Sequence, residues 1–309
     1  MRVVDYFAGA GGFTLGAQLA GAQVVAAINH NPLAVQTHAR NHPGALHLCE
    51  DLTRFDPRRL PPFDVLVASP ACQGHSRGRG VARGAEGDAR WDTSRATAWA
   101  VVDCVEVRRP RAVVVENVTD FERWTLFDLW RDALVRLGYD VRVQVCDAAG
   151  WGVAQERRRV IVTAVRGSEA PAVVAPVVPV RTAGDVVDLG AGAWSPIARP
   201  GRAAATLRRI ERGRAALGDR FVMPYYGGGS GLTGRSLARP LGTVTTRDRW
   251  AVVDGDRMRM LTVEEYREAM GFPPGYSLPR AKAQAVGLLG NAIVPAVASA
   301  AVRAVMEAA

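Results

Sequence analysis

Lysine is almost absent from this 309-residue chain: Lys282 is the single lysine, and the other basic residues, of 39 in all, are arginines. The formal net charge at pH 7 is +9. Between residues 166 and 249 the sequence has 13 arginines and 6 acidic residues, a surplus of 7. Such a concentration is typical of a face that neutralises phosphates, and equally of a solvated basic surface. Charge alone leaves both interpretations open.

Cysteine is also scarce, and its spacing excludes two common classes of small scaffold. The four cysteines stand singly at Cys49, Cys72, Cys104 and Cys146. They show neither the Cys-x-x-Cys spacing of structural zinc sites nor the paired spacing of a disulfide framework. We therefore expect reduced thiols and no metal ion.

Long apolar runs are missing as well. No run approaches the roughly 18 residues that a membrane-spanning helix requires. The N-terminus, MRVVDYFAGAGG, lacks the layout of a signal peptide. From these two absences we expect a cytoplasmic protein without membrane contact.

Short β-branched runs alternate with helical patterns through the first 165 residues. The strand patterns are RVVDYF, QVVAAI, FDVLVA, RAVVVE, YDVRVQV and RRVIVTAV. The helical patterns are FTLGAQLAGA, PLAVQTHARN, TSRATAWAVVDCVEVRR and the segment around LFDLWRDALVRLG. This alternation predicts an α/β fold with a doubly wound, mostly parallel sheet covered by helices on both faces.

The composition changes near residue 167, where GSEAPAVVAPVVPVRTAG is rich in Pro, Ala and Val. Arg-rich and Gly-rich stretches follow, including YYGGGSGLTGRS, with few periodic runs. We predict a small, loop-rich second domain over residues 167–250. The patterns LTVEEYREAM and PAVASAAVRAVMEA then predict helices. The predicted division is therefore 1–166, 167–250, and a return to the first domain over 251–309.

A glycine-rich turn follows the first predicted strand, in DYFAGAGGFTLG (Asp5 to Gly16). Glycines there let the backbone approach a ligand and expose amides at a helix N-terminus. A nicotinamide dinucleotide site would need a third glycine where Thr14 stands and an acid at the end of the second strand, where Asn29 stands. The sequence therefore disfavours an oxidoreductase, and a tight turn without a ligand stays possible.

Chemically capable side chains stand at the ends of two later strands. Cys72 follows FDVLVASPA, and Glu116 and Asn117 end VVVEN. Strand ends line the ligand crevice in doubly wound sheets, so these groups are candidates for one pocket. Alternatively, Cys72 is a small core residue and Glu116 caps the next helix. A thiol hydrolase using Cys72 and His75 is weaker, because residues three apart in a loop define no geometry.

A basic run opens the last strand of the first domain, in QERRRVIV. Arg157 and Arg159 are two residues apart, so in a strand they share one face.

Five motifs occur here in the order and spacing of the DNA cytosine-C5 methyltransferases, which this chain resembles from end to end. They are FAGAGG, ACQ, ENV, QERRR and LGNAIVP. TVTTRDRW followed by RMRMLTVEEYREAMGFP also resembles the segment that closes the family's target-recognition region. The resemblance implies a Rossmann-like methyltransferase sheet, a smaller target-recognition domain, S-adenosyl-L-methionine as cofactor, and double-stranded DNA as partner of a monomeric enzyme.

The resemblance also assigns roles to residues. The implied catalytic set is Cys72, Glu116, Arg157 and Arg159: Cys72 attacks C6 of a flipped cytosine, Glu116 contacts N3, Arg159 contacts O2, and Arg157, with Gln155, supports the pocket. The implied cofactor set is Phe7, Gly9, Gly11, Asn29, Asp51 and Asn291. The implied DNA-binding set is Gln73, Ser76, Arg77, Thr245 and Thr246.

Two positions depart from the family pattern. Ala71 stands where the family has a proline before the nucleophile, so a rigid φ is lost and the turn is expected to loosen. Asn29 stands where the family commonly has glutamate, which predicts weaker or altered cofactor binding. These departures leave two alternatives: an RNA cytosine methyltransferase, and a catalytically silent DNA-binding module. Retention of Cys72, Glu116 and Arg159 argues against the second.

Overall fold

The computed structural model describes residues 1–71, 97–225 and 234–309. The chain divides into two compact units. Unit 1 is Met1–Asp147, Arg158–Ala175 and Ala292–Ala309; unit 2 is Ala148–Arg157 and Pro176–Asn291. These boundaries differ from the predicted ones, because residues 251–291 and the segment Ala148–Arg157 belong to unit 2.

Unit 1 contains a seven-stranded sheet in the order β3-β2-β1-β4-β5-β7-β6. Its strands are β1 (Arg2–Tyr6), β2 (Gln23–Ile28), β3 (Leu46–Leu48), β4 (Val65–Ala68), β5 (Ala112–Val118), β6 (Tyr139–Asp147) and β7 (Arg158–Arg166). Every pairing is parallel except the two that β7 makes, with β5 and β6. The predicted α/β, mostly parallel sheet is therefore confirmed.

The described residues of unit 1 include five α-helices. They are α1 (Gly12–Leu19), α2 (Pro32–Asn41), α3 (Trp99–Arg108), α4 (Phe127–Arg136) and the C-terminal helix, which we call α8 (Pro295–Ala308). The predicted helix over TSRATAWAVVDCVEVRR begins at Trp99 in the structure, and its first four residues lie outside the described part of the chain. Asn31 caps α2 by accepting a hydrogen bond from the Leu33 amide, and Pro32 follows at the first helical position.

The core of unit 1 is built by the central strands. All four residues of β4 and the first six of β5 are buried, as expected for parallel strands covered on both faces. Aromatic side chains of the β5–α4 segment pack together beside them; Phe121 and Trp130 are fully buried. The carboxyl ends of β1, β2, β4 and β5 therefore meet at one well-supported edge of the sheet.

The C-terminal helix α8 returns to the start of the chain, where it packs against α1. Two glycines of α1 make this approach possible. A Cβ atom on Gly12 would lie 2.2 Å from the Ile293 carbonyl oxygen, and one on Gly16 would lie 2.4 Å from Ala298 Cβ. Since real atoms do not approach so closely, both positions require glycine.

Unit 2 contains an antiparallel five-stranded sheet in the order β10-β9-β11-β12-β8. Its strands are β8 (Ser195–Pro196), β9 (Arg220–Pro224), β10 (Arg235–Ser236), β11 (Trp250–Asp254) and β12 (Arg257–Met260). Its helices are α5 (Ala204–Leu217), α6 (Val263–Ala269) and α7 (Lys282–Asn291). The strands β11 and β12 pair with β9 and β8, which is why residues 251–260 belong to this unit.

A buried ion pair connects strand β12 with helix α6 in unit 2. The Arg259 guanidinium donates to both carboxylate oxygens of Glu265, at 2.6 and 2.8 Å, and both side chains are nearly inaccessible to solvent. Glu265 also accepts from the amides of Asp188 and Thr262, so its remaining acceptor sites are used. Full use of the Glu265 oxygens in hydrogen bonds offsets part of the cost of burying the charged pair.

Contrary to the expectation from the sequence, one apolar stretch is compatible in length and composition with crossing a membrane. It covers Lys282–Ala308, which contains α7 and α8. Because 78% of its most apolar window is buried inside the protein, and buried core helices meet the same criteria, this stretch is weak evidence for a membrane span.

Candidate active site

Of the catalytic candidates, Glu116 and Arg159 lie at the edge of the unit 1 sheet where β5 ends and the antiparallel strand β7 begins. The predicted nucleophile, Cys72, follows β4 by four positions and lies outside the described residues, as do the predicted DNA contacts Gln73, Ser76 and Arg77. The structure describes the backbone up to Ala71 and resumes at Thr97.

Glu116 and Arg159 form an ion pair at this edge. Arg159 Nε lies 3.1 Å from Glu116 Oε1, with side-chain exposures of 15% and 6%. Val118 lies opposite Arg159 in the β5–β7 ladder, so Glu116 and Arg159 point from the same face on diagonal positions. Arg159 also donates from Nη1 to the Arg158 carbonyl oxygen at 2.8 Å. The sheet itself therefore sets the orientation of both groups.

Glu116 does not cap the following helix, which was the alternative interpretation. A short 3₁₀ segment, Thr119–Arg123, follows β5 without a side-chain cap. The next α-helix begins only at Phe127. The buried carboxylate has Arg159 as its partner, which leaves a role at the sheet edge as the better explanation of this residue.

Two side chains fix the backbone that leads to Cys72. Asn117 Nδ2 donates to the Pro70 carbonyl oxygen at 3.2 Å, and the Thr97 hydroxyl accepts from the Ala71 amide at 3.1 Å. Proline in place of Ala71 would have no N–H to donate. The hydrogen bond to Thr97 thus supplies a constraint on the turn that the missing proline ring does not. Thr97 carries no recognisable signal in the sequence.

The glycine-rich turn after β1 has the left-handed backbone that a close ligand approach requires. The φ angles are 61° at Phe7, 49° at Gly9 and 92° at Gly11, which is the N-cap of α1. Backbone hydrogen bonds join the Ala8 amide to the Ile28 carbonyl oxygen at 3.0 Å and the Gly11 amide to the Ala8 carbonyl oxygen at 2.8 Å. The turn is therefore tied to the end of β2.

Asn29 and Asp51 lie beyond the ends of β2 and β3. Asn29 Oδ1 accepts from the Asn31 amide at 2.9 Å, so one of its acceptor sites serves the local turn. Asp51 is exposed, and hydrogen bonds from the amide and hydroxyl of Thr53 hold the pKa of its carboxyl below the ordinary value. Asp51 is therefore an ionised acceptor at the same edge of the sheet as the glycine turn.

Arg157 has a different environment from Arg159. It is buried in unit 2, where Nη1 donates to the Val244 carbonyl oxygen at 2.9 Å and Nη2 to the Gly290 carbonyl oxygen at 2.8 Å. Gln155 Oε1 accepts a hydrogen bond from the Val244 amide at 2.7 Å. These contacts support positioning of the backbone near residue 244, and they give no support to a direct catalytic part for Arg157.

The remaining predicted site residues also belong to unit 2. Thr245 Oγ1 donates to the Arg247 carbonyl oxygen at 3.2 Å, whereas Thr246 is exposed. A Cβ on Gly290 would lie 2.3 Å from the Thr245 carbonyl, so helix α7 ends in direct contact with this peptide. Asn291 is the exposed last residue of α7. The roles predicted for Thr245, Thr246 and Asn291 stay predictions.

A family model for C-5 cytosine-specific DNA methylases matches residues 1–183 and 205–307 of the chain. The chain belongs to this family. The matched ranges include every motif on which the sequence resemblance rests, so the predicted family is confirmed.

Curated relatives and a solved structure agree with the family. The chain is 32% identical over 172 residues to the type II methyltransferase M.HgiBI of Herpetosiphon aurantiacus, covering 53% of this chain and 37% of that protein. It therefore spans well under half the length of that relative. Over 301 residues it is 26% identical to the type II methyltransferase M.NlaX of Neisseria lactamica, covering 94% of this chain and 92% of that protein.

The fold is that of the Rossmann-like methyltransferases. The S. pombe Dnmt2 methyltransferase superimposes with a TM-score of 0.73 over 99% of this chain and 98% of that chain, at 18% sequence identity. At that identity the likeness concerns the fold.

Proposed function

We propose that this protein transfers a methyl group from S-adenosylmethionine to C5 of a cytosine flipped out of a specific duplex DNA sequence. The observation that carries the proposal is the ion pair of Glu116 and Arg159 at the edge of the sheet. Strand β4 ends four positions before Cys72 in the sequence. Family membership supports the same chemistry.

The proposed route is covalent, because cytosine C5 is a poor nucleophile. The Cys72 thiolate forms a bond to C6, and the ring becomes an enamine whose C5 is nucleophilic. Glu116 supplies a proton or hydrogen bond at N3 as the thiolate adds, and Arg159 contacts O2. C5 takes the methyl group from the sulfonium sulfur, which is left as a thioether. Water then accepts the C5 proton, the C5–C6 double bond re-forms, and cleavage of the C6–S bond releases Cys72 as a thiolate by β-elimination. Since C6 is inaccessible in a stacked duplex, the base must first leave the helix.

The glycine turn fits a nucleotide-bearing cofactor. A Cβ on Gly9 would meet no atom closer than the Phe7 carbonyl oxygen, at 3.7 Å, so the face of the turn is open. The turn presents backbone groups at the N-terminus of α1, while Asn29 and Asp51 bring polar oxygens beyond the ends of β2 and β3. Hydrogen bonds of this kind suit an amino acid, a ribose and an adenine amine respectively.

S-adenosylmethionine, when bound, supplies an electrophilic methyl group. In the proposal, Phe7, Gly9 and Gly11 hold its methionine and ribose part, Asn29 its ribose hydroxyls, and Asp51 its adenine amine. The family resemblance adds Asn291, the last residue of α7, to the proposed set.

Bisulfite sequencing of DNA from cells that express the chain tests the proposal. We expect protected cytosines within one short recurring sequence, and none in cells that express a Cys72→Ser variant. Unmodified DNA together with modified RNA would overturn the proposed substrate. The type II names of the relatives support a restriction-modification setting, which we propose with a monomeric enzyme in the cytoplasm.

Restoring an acid at residue 29 should tighten cofactor binding. A carboxylate accepts from both ribose hydroxyls, and charged acceptors make hydrogen bonds stronger by roughly 1 kcal/mol than an amide does. Asn29→Glu should therefore lower the dissociation constant for S-adenosylmethionine several-fold in calorimetry. Gln23→Glu, which adds an acid at the exposed opposite end of β2, should leave it unchanged. Unchanged or weaker binding by a folded Asn29→Glu variant would show that residue 29 does not face the ribose.

We further propose that residues 167–250 choose the DNA sequence. Two groups stand out among the arginines of this block. Arg202, Arg209, Arg214 and Arg235 donate to backbone carbonyls within unit 2. Arg208, Arg212 and Arg247 are exposed and are the candidates for phosphate contacts.

Arg208→Ala and Arg212→Ala should each weaken DNA binding and make its logarithmic salt dependence shallower by about one phosphate contact. Fluorescence anisotropy at several salt concentrations measures both quantities. Arg136→Ala removes an exposed arginine of unit 1 and should change neither. Equal effects from all three substitutions would mean that only net charge matters.

A further inference from the structure

A buried carboxylate joins the two ends of the glycine turn. Asp5 is 1% exposed and lies on β1, just before the turn. Its Oδ2 atom accepts from the Thr14 hydroxyl at 2.7 Å and from the Thr14 amide at 3.1 Å, in the first turn of α1. Two hydrogen bonds to the Asp5 carboxylate thus connect the two ends of the eight-residue segment between Asp5 and Thr14.

Histidines extend this contact toward α2 and β3. His38 Nε2 lies 2.9 Å from Thr14 Oγ1, and His38 Nδ1 lies 2.8 Å from His47 Nε2. With Asp5 ionised, the Thr14 hydroxyl donates its only proton to Asp5 and must accept from His38. His38 then accepts from His47 through its other ring nitrogen, so the hydrogen bonds run in one direction from His47 to Asp5.

Burial keeps the histidines neutral, as this arrangement requires. It lowers the pKa of His38 to about 3 and that of His42 to about 4, and the neighbouring histidines add to both shifts. Burial also raises the pKa of Asp5 to about 7, although the Thr14 hydrogen bonds oppose this. When Asp5 takes up a proton, the three side-chain hydrogen bonds from Asp5 to His47 can reverse their direction, while the Thr14 amide still donates to the carboxyl group.

The turn that these contacts span is one that needs support. Phe7 has a φ of 61°, a left-handed conformation that a residue with a large side chain rarely adopts. Such backbone persists only where the surroundings over-determine it. The Asp5–Thr14–His38 contacts fix where β1 ends and where α1 begins, which restricts the backbone between them.

We propose that Thr14 and His38 are positioning residues for the cofactor, which hold the Phe7–Gly11 turn in its binding conformation through Asp5. The inference rests on the proposed function, because it takes this turn to be the S-adenosylmethionine site. A ligand that binds only one conformation loses apparent affinity in proportion to the population of that conformation. Loosening the turn therefore weakens binding without changing any group that touches the cofactor.

Calorimetry with S-adenosylmethionine and the full chain tests the proposal. Thr14→Val keeps the shape of the side chain but removes the hydroxyl, and we expect the dissociation constant to rise about tenfold. Thr14→Ser should restore most of the affinity. In turnover experiments KM for the cofactor should rise while kcat at saturation stays within about twofold.

Thr163→Val is the matched control. Thr163 lies on β7, is fully buried in unit 1, and donates a hydrogen bond to the Pro171 carbonyl oxygen at 2.8 Å. A purely structural role for Thr14 predicts similar thermal destabilisation of both variants and unchanged cofactor affinity in both. That result would overturn the proposal. If Thr14→Val does not fold, His38→Phe replaces it, with a smaller expected rise of about threefold.

Hydrogen exchange separates this inference from the proposed function. In the wild-type protein without cofactor, the Ala8 and Gly11 amides are bonded and should be protected. Thr14→Val should speed their exchange and Thr163→Val should not; equal protection in all three proteins contradicts the inference, whatever the ligand. Failure of the wild-type protein to bind S-adenosylmethionine would instead contradict the proposed function.

Discussion

Glu116→Gln is expected to lower kcat for cytosine methylation by about 10²- to 10⁴-fold, the range typical of a lost general acid or base. Glutamine keeps the shape of the side chain and one acceptor, but it cannot transfer a proton to N3. It also removes the charge that faces Arg159 Nε at 3.1 Å. Both groups in the proposed contact with the base are therefore affected by one substitution. Transfer of a labelled methyl group to DNA under saturating conditions measures the effect.

Glu122→Gln is the matched control for this substitution. Glu122 is exposed on the 3₁₀ segment that follows β5, so its loss should leave kcat within about twofold of wild type. An active Glu116→Gln enzyme, within about tenfold of wild type, would remove Glu116 from the proposed chemistry.

Gly12→Ala is expected to lower the free energy of unfolding by about 3 kcal/mol, the upper part of the range for overpacking a close contact. The added Cβ would lie 2.2 Å from the Ile293 carbonyl oxygen and 3.1 Å from Ile293 Cγ2. A backbone atom cannot swing aside as a side chain does, so α1 and the segment before α8 must separate. Denaturant unfolding, followed by circular dichroism, measures the loss.

Gly44→Ala provides the comparison. No atom lies within 4 Å of a Cβ built there, and its φ is outside the left-handed region. Its substitution should be neutral or stabilising by a few tenths of a kcal/mol. Equal stability of the two variants would show that the C-terminal segment does not pack on α1 as described.

The α/β alternation was predictable because both periodicities are strong in the first domain. PLAVQTHARN has a capping asparagine before it and a proline at its first position, and the structure has a helix over Pro32–Asn41. The pattern PAVASAAVRAVMEA likewise corresponds to Pro295–Ala308. Where local signals and tertiary packing agree, a single sequence is sufficient.

Helix α5 (Ala204–Leu217) was not predictable in the same way. Its buried face consists of Thr206, Ile210 and Gly213, and two of these three residues are poor markers of an apolar stripe. Ala203 precedes it without a side-chain cap. The sequence AATLRRIERGRAAL therefore resembles an arginine-rich loop until packing against β9 is known.

The candidate site was predictable where a motif implies a role, and was incomplete where contacts decide it. ENV and QERRR led to Glu116 and Arg159, and the structure brings these two together. The same motifs suggested a common face for Arg157 and Arg159, yet Arg157 turns to two backbone carbonyls of unit 2. Strand alternation could not show this, because β7 begins only at Arg158.

The covalent step is the central claim, and trapping it is the most direct test. Duplex DNA carrying 5-fluorocytosine in place of cytosine blocks the final elimination, because fluorine cannot leave C5 as a proton does. With wild-type protein and S-adenosylmethionine we expect an adduct that survives denaturing electrophoresis. Cys49→Ser, at an exposed free cysteine, should form it equally well, and Cys72→Ser should form none. An adduct formed as readily by Cys72→Ser would contradict the account.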